Sequence, residues 1–263
     1  MAERKESNTF PRAAAPAELT GEALEQLRRS EASRCVVFAD WSALQPEENV
    51  LDEAAAEDLR ERLMRVASLG AEPVLCLYRG EDPEWFTARG GWSKEDNLRC
   101  YLRYVGRVVR AAGHLCGEYI TFWEPNALIW QKRHRTLARS LTALSHIACT
   151  HIRAVRLVRD TREQRGFSGT AVGFAMRLYS GREVRRELLQ GRLPVTEALF
   201  QRLPMLAMAK GEFHMPLRIT LRAQPGVWAD FIGVTGAGGP AKIERVCARA
   251  RGLTGVEPRI MEE

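Results

Sequence analysis

Short apolar runs alternate along this chain with amphipathic helical stretches. The runs rich in β-branched and aromatic residues predict strands at 35–39, 72–78, 118–122, 170–179, 228–234 and 256–261. Apolar residues at helical spacing predict helices at 20–27, 52–67, 96–112, 136–161, 181–190 and 241–251. Strands that alternate with helices form a parallel sheet covered by those helices, so the pattern indicates an α/β fold.

The stretch from Tyr119 to Asn126 carries the strongest functional signal. Pro125 forbids the strand from continuing, which leaves Glu124 at the carboxyl-terminal end of a buried strand. In alternating β/α folds the ligands bind at that end of the sheet and catalytic groups collect there. Glu124 is therefore a candidate catalytic acid, and the alternative is a strand-end glutamate that only satisfies local hydrogen bonds.

The residues around Glu124 resemble a known family. The sequence Thr121-Phe122-Trp123-Glu124-Pro125 is similar to the motif Thr-Phe-Asn-Glu-Pro of the family 1 glycoside hydrolases, the β-glucosidase family, whose Glu is the general acid/base. The resemblance extends over most of residues 34–262. It rests further on Leu77-Tyr78, Asp82-Pro83-Glu84-Trp85-Phe86, Arg89-Gly90-Gly91-Trp92 and Asp230-Phe231-Ile232-Gly233-Val234.

The resemblance implies a TIM-type (β/α) barrel that hydrolyses β-glycosides with two carboxylates. A retaining enzyme of this kind needs an acid and a nucleophile about 5 to 5.5 Å apart. Glu124 corresponds to the acid. Glu262 corresponds by position to the nucleophile, which the family carries in Tyr-Ile-Thr-Glu-Asn-Gly at the end of its seventh strand; the alternative for Glu262 is a frayed acidic end of the chain.

Several sugar-binding positions of the family are changed or missing here. Trp123 replaces the motif's Asn and would fill space beside Glu124, and Arg79 stands where the family has a sugar-binding His. With Trp41, in the segment similar to the family's Ser-Trp-Ser, and Trp92, they are the expected substrate contacts. The family's first-strand Gln, its Tyr after the sixth strand and its eighth strand have no counterpart. A catalytically impaired relative that binds sugar or a protein partner is therefore the alternative function.

The missing strands also shape the expected architecture. We expect residues 1–30 to form an N-terminal arm, with no strand before the short helix, and residues 31–263 to form an incomplete barrel with strands two to seven of the family. The edges of an open sheet invite further pairing. Residues 1–30 are expected to cover one edge, or a second copy of the chain does so in a homo-oligomer.

Composition excludes several other classes. The net charge is +6 with a pI near 9.2, but the one dense basic cluster, Lys132-Arg133-His134-Arg135, is typical of a solvated loop, and we expect no nucleic-acid partner. The six cysteines lie far apart with no zinc-like spacing, so we expect small buried hydrophobic residues and no metal or other cofactor. No apolar run is long enough for a signal or a membrane span, which predicts a cytoplasmic protein.

Overall fold

The computed structural model describes residues 12–16, 18–29, 33–131, 136–178, 198–213, 225–236 and 240–262. Within these residues seven parallel strands form a closed barrel in chain order, each paired with the next and the last paired with the first. The strands are β1 Arg12–Ala14, β2 Arg34–Phe38, β3 Glu72–Cys76, β4 Glu118–Trp123, β5 Ala171–Arg177, β6 Phe231–Thr235 and β7 Glu257–Glu262. The TIM-type fold inferred from the family resemblance is confirmed.

Helices lie between the strands. They are α1 Gly21–Arg29, α2 Trp41–Leu44, α3 Glu53–Ser68, α4 Glu84–Ala88, α5 Leu98–Ala112, α6 Pro125–Gln131, α7 Leu137–Glu163, α8 Leu203–Lys210 and α9 Pro240–Thr254. A π-helical turn, Ala198–Arg202, leads into α8. Among the described residues, no helix is long and apolar enough to cross a membrane.

The N-terminal arm closes the barrel, which corrects the expected open sheet. β1 pairs with β2 on one side, where Ala14 faces Cys35, and with β7 on the other, where Ala13 faces Met261. The Ala15 amide also donates to the Glu262 carbonyl at 2.6 Å. Residues 12–14 thus belong to the barrel wall and cover both edges, although no strand was expected before α1.

The barrel interior is packed with mostly small side chains. Ala13, Ala15, Ala175 and Met261 belong to the interior cluster, together with the larger Trp123 and Phe231. A Cβ at Gly173 would lie 2.3 Å from the Phe231 carbonyl oxygen, and one at Gly233 would lie 2.9 Å from the Ala175 Cβ. Because barrel diameter grows with strand number, seven strands leave room for few large residues.

An ion-pair cluster lies at the opposite end of the barrel from the β4 carboxyl terminus. Glu118, the first residue of β4, accepts from Arg34 Nε at 3.1 Å and pairs with Arg259 of β7. Both Glu118 and Arg259 have side chains 15% exposed. The cluster links three strands of the barrel wall.

The layer between barrel and helices is aromatic on the β2–β4 side. Trp41, Tyr78, Phe86, Trp92, Tyr101, Tyr104 and Phe122 pack in mutual ring contact there. The buried hydroxyls are paired, since Tyr101 donates to the Thr121 carbonyl at 2.5 Å and Tyr104 to the Leu77 carbonyl at 3.1 Å. Buried polar groups need such partners, so this cluster is fixed in one arrangement.

A histidine is buried between α7 and the barrel. His151 is fully buried, its Nε2 donates to the Trp228 carbonyl at 3.1 Å, and Nδ1 lies 2.6 Å from the Thr121 hydroxyl. Burial lowers its pKa to about 3, against which the hydrogen bonds to backbone carbonyls act only in part. His151 is therefore a structural residue.

Most predicted elements differ from the structure by one to three residues at their ends. The exception is the segment before β6, where no helix was predicted. Its described part is helical through Lys210, with Pro204 near the start of α8 and Gly211 in the left-handed conformation ending it. The predicted helix at 181–190 and the basic cluster 132–135 lie outside the described residues.

Candidate active site

The junction between β4 and α6 places Glu124 at the mouth of the barrel. A register irregularity between Ile120 and Trp123 in the pairing with β5 turns Trp123 into the interior. Glu124 alone separates the strand from the helix that Pro125 begins, and it adopts φ 46°, a left-handed conformation unusual for a residue with a side chain. Such backbone strain persists where the surroundings hold it, often at functional sites.

Backbone hydrogen bonds on both sides hold this junction in place. The Trp123 amide donates to the Tyr78 carbonyl at 2.8 Å, and the Glu124 amide donates to the Ala175 carbonyl of β5 at 2.9 Å. The Glu124 carbonyl accepts the first helical hydrogen bond, from the Leu128 amide at 3.0 Å. The position of the carboxylate is therefore set by β3, β5 and α6 together.

Glu124 is 8% exposed, and its carboxylate has two partners from the neighbouring strands. Arg177, the last residue of β5, places Nε 3.1 Å from both carboxylate oxygens. Thr235, the last residue of β6, donates its hydroxyl to Oε1. A carboxylate held by a guanidinium and a hydroxyl is well oriented, but the ion pair must be loosened before the group can transfer a proton.

Asn126 extends the cluster. Its Nδ2 donates to the Arg177 carbonyl at 2.7 Å, while its Oδ1 is buried with no hydrogen-bond partner within the described part of the chain. An unpaired buried acceptor is uncommon, and a ligand hydroxyl is one group that can satisfy it. The cluster of Glu124, Asn126, Arg177 and Thr235 joins the carboxyl-terminal ends of three adjacent strands.

Two of the predicted substrate contacts lie beside this cluster. Trp123 is 3% exposed and packs edge-on against Phe38, with ring centroids 5.0 Å apart. The guanidinium of Arg79 lies over the Phe38 ring, 4.4 Å from its centroid. Arg79 also lines a cavity of about 270 Å³ above the ends of β2 and β3, together with Asp40 and Arg62. Trp123 and Arg79 therefore stay candidates for contacts to a ligand at the mouth.

The structure corrects the expected sugar contacts of Trp41 and Trp92. Both are 1% exposed and lie within the aromatic layer. Trp92 directs its Nε1 to Asp82 at 2.9 Å and to the Tyr78 hydroxyl at 3.0 Å, and Trp41 donates to Gln45 at 3.1 Å. Trp41 also lines the cavity above β2 and β3, but its indole packs against the rings of Phe86 and Tyr104. Neither indole can stack on a sugar from this position.

The second predicted carboxylate, Glu262, lies at the end of β7 and is exposed. Its neighbour Met261 packs into the barrel interior. Since successive side chains of a strand point to opposite faces, Glu262 leaves the strand on the outer side. Glu124, in contrast, contacts Arg177 and Thr235, which lie on the interior face of their strands because they follow the interior residues Ala175 and Phe231 by two and four positions. The two carboxylates therefore leave the barrel wall in different directions, and the role of Glu262 stays a prediction.

Arg177, Thr235 and Asn126 were not among the residues singled out from the sequence. Arg177 and Thr235 each end a strand, and the rule that selected Glu124, a polar residue at the carboxyl end of a buried strand, also applies to them. Asn126 follows Glu124 by two residues. Within the described residues, no group of three or more His, Cys, Asp or Glu could hold a metal ion.

Comparison with known proteins agrees with the family resemblance. No protein-family model matches the chain. A β-glucosidase-like SFR2 protein of Oryza sativa subsp. japonica is 29% identical over 96 residues, which is 34% of this chain and 15% of that protein. The galactolipid galactosyltransferase SFR2 of Arabidopsis thaliana is 28% identical over 93 residues, 33% of this chain and 15% of that protein.

Solved structures match over a larger part of the chain. A β-glycosidase from Pyrococcus horikoshii superposes with a TM-score of 0.63 and 23% identity, covering 80% of this chain and 49% of its own. The chain thus spans about half the length of that structure and a smaller share of the curated relatives. The fold and the resemblance to β-glucosidases are confirmed, and the activity belongs to the proposal below.

Proposed function

We propose that this chain, which resembles the family 1 β-glucosidases in sequence and shares their fold, acts on β-glycosides as a glycoside hydrolase at the mouth formed by β4, β5 and β6. The observation that carries the proposal is the placement of Glu124. It is a nearly buried carboxylate at a strained strand end, oriented by Arg177 and Thr235, in the barrel position where such folds bind their ligands.

In the proposed reaction Glu124 is the acid/base. It donates its proton to the glycosidic oxygen as that bond breaks, while the carboxylate of Glu262 attacks the anomeric carbon and forms a glycosyl ester. Glu124 then removes a proton from water, which displaces Glu262 and releases the sugar. Arg177 would have to shift from Glu124 on substrate binding, and Trp123 and Arg79 would line the site.

The test is hydrolysis of 4-nitrophenyl and methyl β-glycosides by the purified chain. Glu124→Gln should slow methyl glycosides far more than nitrophenyl glycosides, whose good leaving group needs little acid help. Glu262→Gln should abolish both, since no glycosyl ester could form. Glu61→Gln, an exposed carboxylate on α3, is the matched control. Wild-type rates equal to buffer, or full activity in Glu124→Gln, would contradict the assignment.

One relative carries the name galactosyltransferase, so the assay should include an acceptor. A glycosyl ester can be resolved by an acceptor hydroxyl instead of water, and products with added glycerol or an alkyl glycoside should be analysed by mass spectrometry. Transfer without hydrolysis would keep Glu124 and Glu262 in their roles and change only the acceptor.

The second candidate function is sugar binding without turnover. It is favoured by the Arg177–Glu124 ion pair and by the outward direction of Glu262, because the end of β7 would have to turn for Glu262 to reach a sugar. Saturable binding of a β-glycoside by calorimetry, with no hydrolysis or transfer, would select this candidate. Loss of that binding in Asn126→Leu would place the ligand beside the unpaired Oδ1.

A further inference from the structure

We propose that the outer face of α5 is a docking groove for an acidic amphipathic helix of a partner protein. The groove lies between α5 and α7, on the outside of the barrel and separate from Glu124. It has a volume of about 500 Å³ and is lined by Arg99, Leu102, Arg103, Gly106, Arg107, Arg110 and Leu157.

The charge of α5 is one-sided and largely uncompensated. Four arginines follow one another at positions 99, 103, 107 and 110, and the helix carries no acidic residue from Leu98 to Ala112. Of these, Arg103 has an ion-pair partner, Glu48 at 3.1 Å, which Arg89 shares. Arg107 Nη1 is buried with no hydrogen-bond partner among the described residues. Arg165, in the turn after α7, adds a further cation at the end near Arg110, whose carbonyl it contacts.

The neighbouring helix α3 shows what a solvated charged face looks like in this protein. Two of its three arginines have acidic partners on the same helix, Arg60 with Glu57 and Arg62 with Asp58. Such pairs one turn apart are the usual arrangement of an exposed helix. The arginine stripe of α5 lacks them, so the complementary carboxylates must come from outside the helix.

The floor of the groove is apolar. Leu102 and Leu157 are only partly buried, and Gly106 between them presents backbone where another residue would have a side chain. An apolar floor with a cationic rim matches a helix whose leucine face is flanked by glutamates. The stripe from Arg99 to Arg110 spans roughly 16 Å, the length of about three helical turns. No aromatic ring lines the groove for base stacking, which argues against single-stranded nucleic acid.

The test uses fluorescence anisotropy at physiological salt with a labelled 15-residue helical peptide. Its leucines form one face and its glutamates flank them at four-residue spacing; a second peptide of the same composition has the two residue types shuffled. The first peptide should bind saturably and the shuffled one should not. Three exposed ion pairs together amount to about a factor of ten in affinity, so Arg99→Gln/Arg107→Gln/Arg110→Gln should weaken binding about tenfold.

Two further variants separate docking from charge attraction. Arg28→Gln/Arg139→Gln/Arg245→Gln removes the same charge from exposed positions elsewhere and should leave affinity within about twofold. Gly106→Leu fills the floor, keeps every arginine, and should abolish binding without lowering the melting temperature. The added Cβ would lie 3.4 Å from Arg110 Nη1 and 3.7 Å from Leu157 Cδ2, both at the ends of flexible side chains.

Four results would overturn the proposal: no binding of the designed peptide, equal binding of both peptides, equal loss in the two triple variants, or unchanged binding in Gly106→Leu. A single-stranded oligonucleotide of equal charge that binds more tightly than the peptide, and loses affinity in the Arg99 triple variant, would instead identify the stripe as a nucleic-acid site.

Discussion

Acid should destabilise the folded chain through His151. This side chain is fully buried with its pKa lowered to about 3, whereas an exposed histidine titrates near 6.5. Between these two values the unfolded chain binds a proton that the folded chain does not, so stability falls as the pH falls from about 6.5 to about 3. The slope is about 1.4 kcal/mol per pH unit. Between pH 7 and pH 5 the loss from this group is therefore about 2 kcal/mol.

The measurement is the free energy of unfolding in urea at pH 7 and pH 5. Wild type should lose more stability than His151→Gln over this interval, by about 2 kcal/mol. The absolute stability of the variant is unimportant, because only the difference between the two pH values is compared. His114→Gln, which removes an exposed histidine, should keep the wild-type loss. An equal loss in wild type and His151→Gln would refute the reasoning, since another group would then bind the proton.

Three further predictions concern stability and reactivity. Gly173→Ala should lower the melting temperature, since its Cβ would meet the Phe231 carbonyl oxygen at 2.3 Å and overpacking costs about 1–3 kcal/mol or more; Gly252→Ala, with open space around it in α9, should not lower it. Glu118→Gln should cost about 1–3 kcal/mol in urea unfolding, because Arg34 and Arg259 would lose their shared carboxylate. All six cysteines are free and buried, and burial raises the pKa of Cys76 to about 12, so a maleimide should label none in the native chain at pH 7.5 and six in urea.

Local sequence signals predicted the barrel wall and Glu124 well. The run before Pro125 has strand composition, and the proline forces the strand to end, so the position of Glu124 depends on adjacent residues. The strand β1 could not be predicted in this way. Arg12–Ala14 has neither length nor β-branched residues, and it is a strand because β2 and β7 offer backbone partners on both sides.

The tryptophans show a second limit of the sequence. An indole near a strand end has the same local signature whether it contacts a sugar or fills the core. For Trp41 and Trp92 the outcome is decided by rings contributed from α4, α5 and β4, which are distant in the sequence. Likewise, the partners of Glu124 come from β5 and β6, more than 50 residues away, so they follow from barrel closure and not from the motif.

Closure by β1 also has a kinetic consequence. Its pairing with β7 joins residues from almost opposite ends of the described chain, so this contact carries the largest loop-closure entropy of any strand pair. Each of the six other strands can pair with the strand next to it in sequence. The pairing of β1 with β7, in contrast, forms only after β7 is in place. Because β1 has only three residues, we expect the barrel wall to open first between β1 and β7. The amides of Ala13 to Ala15 should therefore exchange with deuterium before those of β3 or β4.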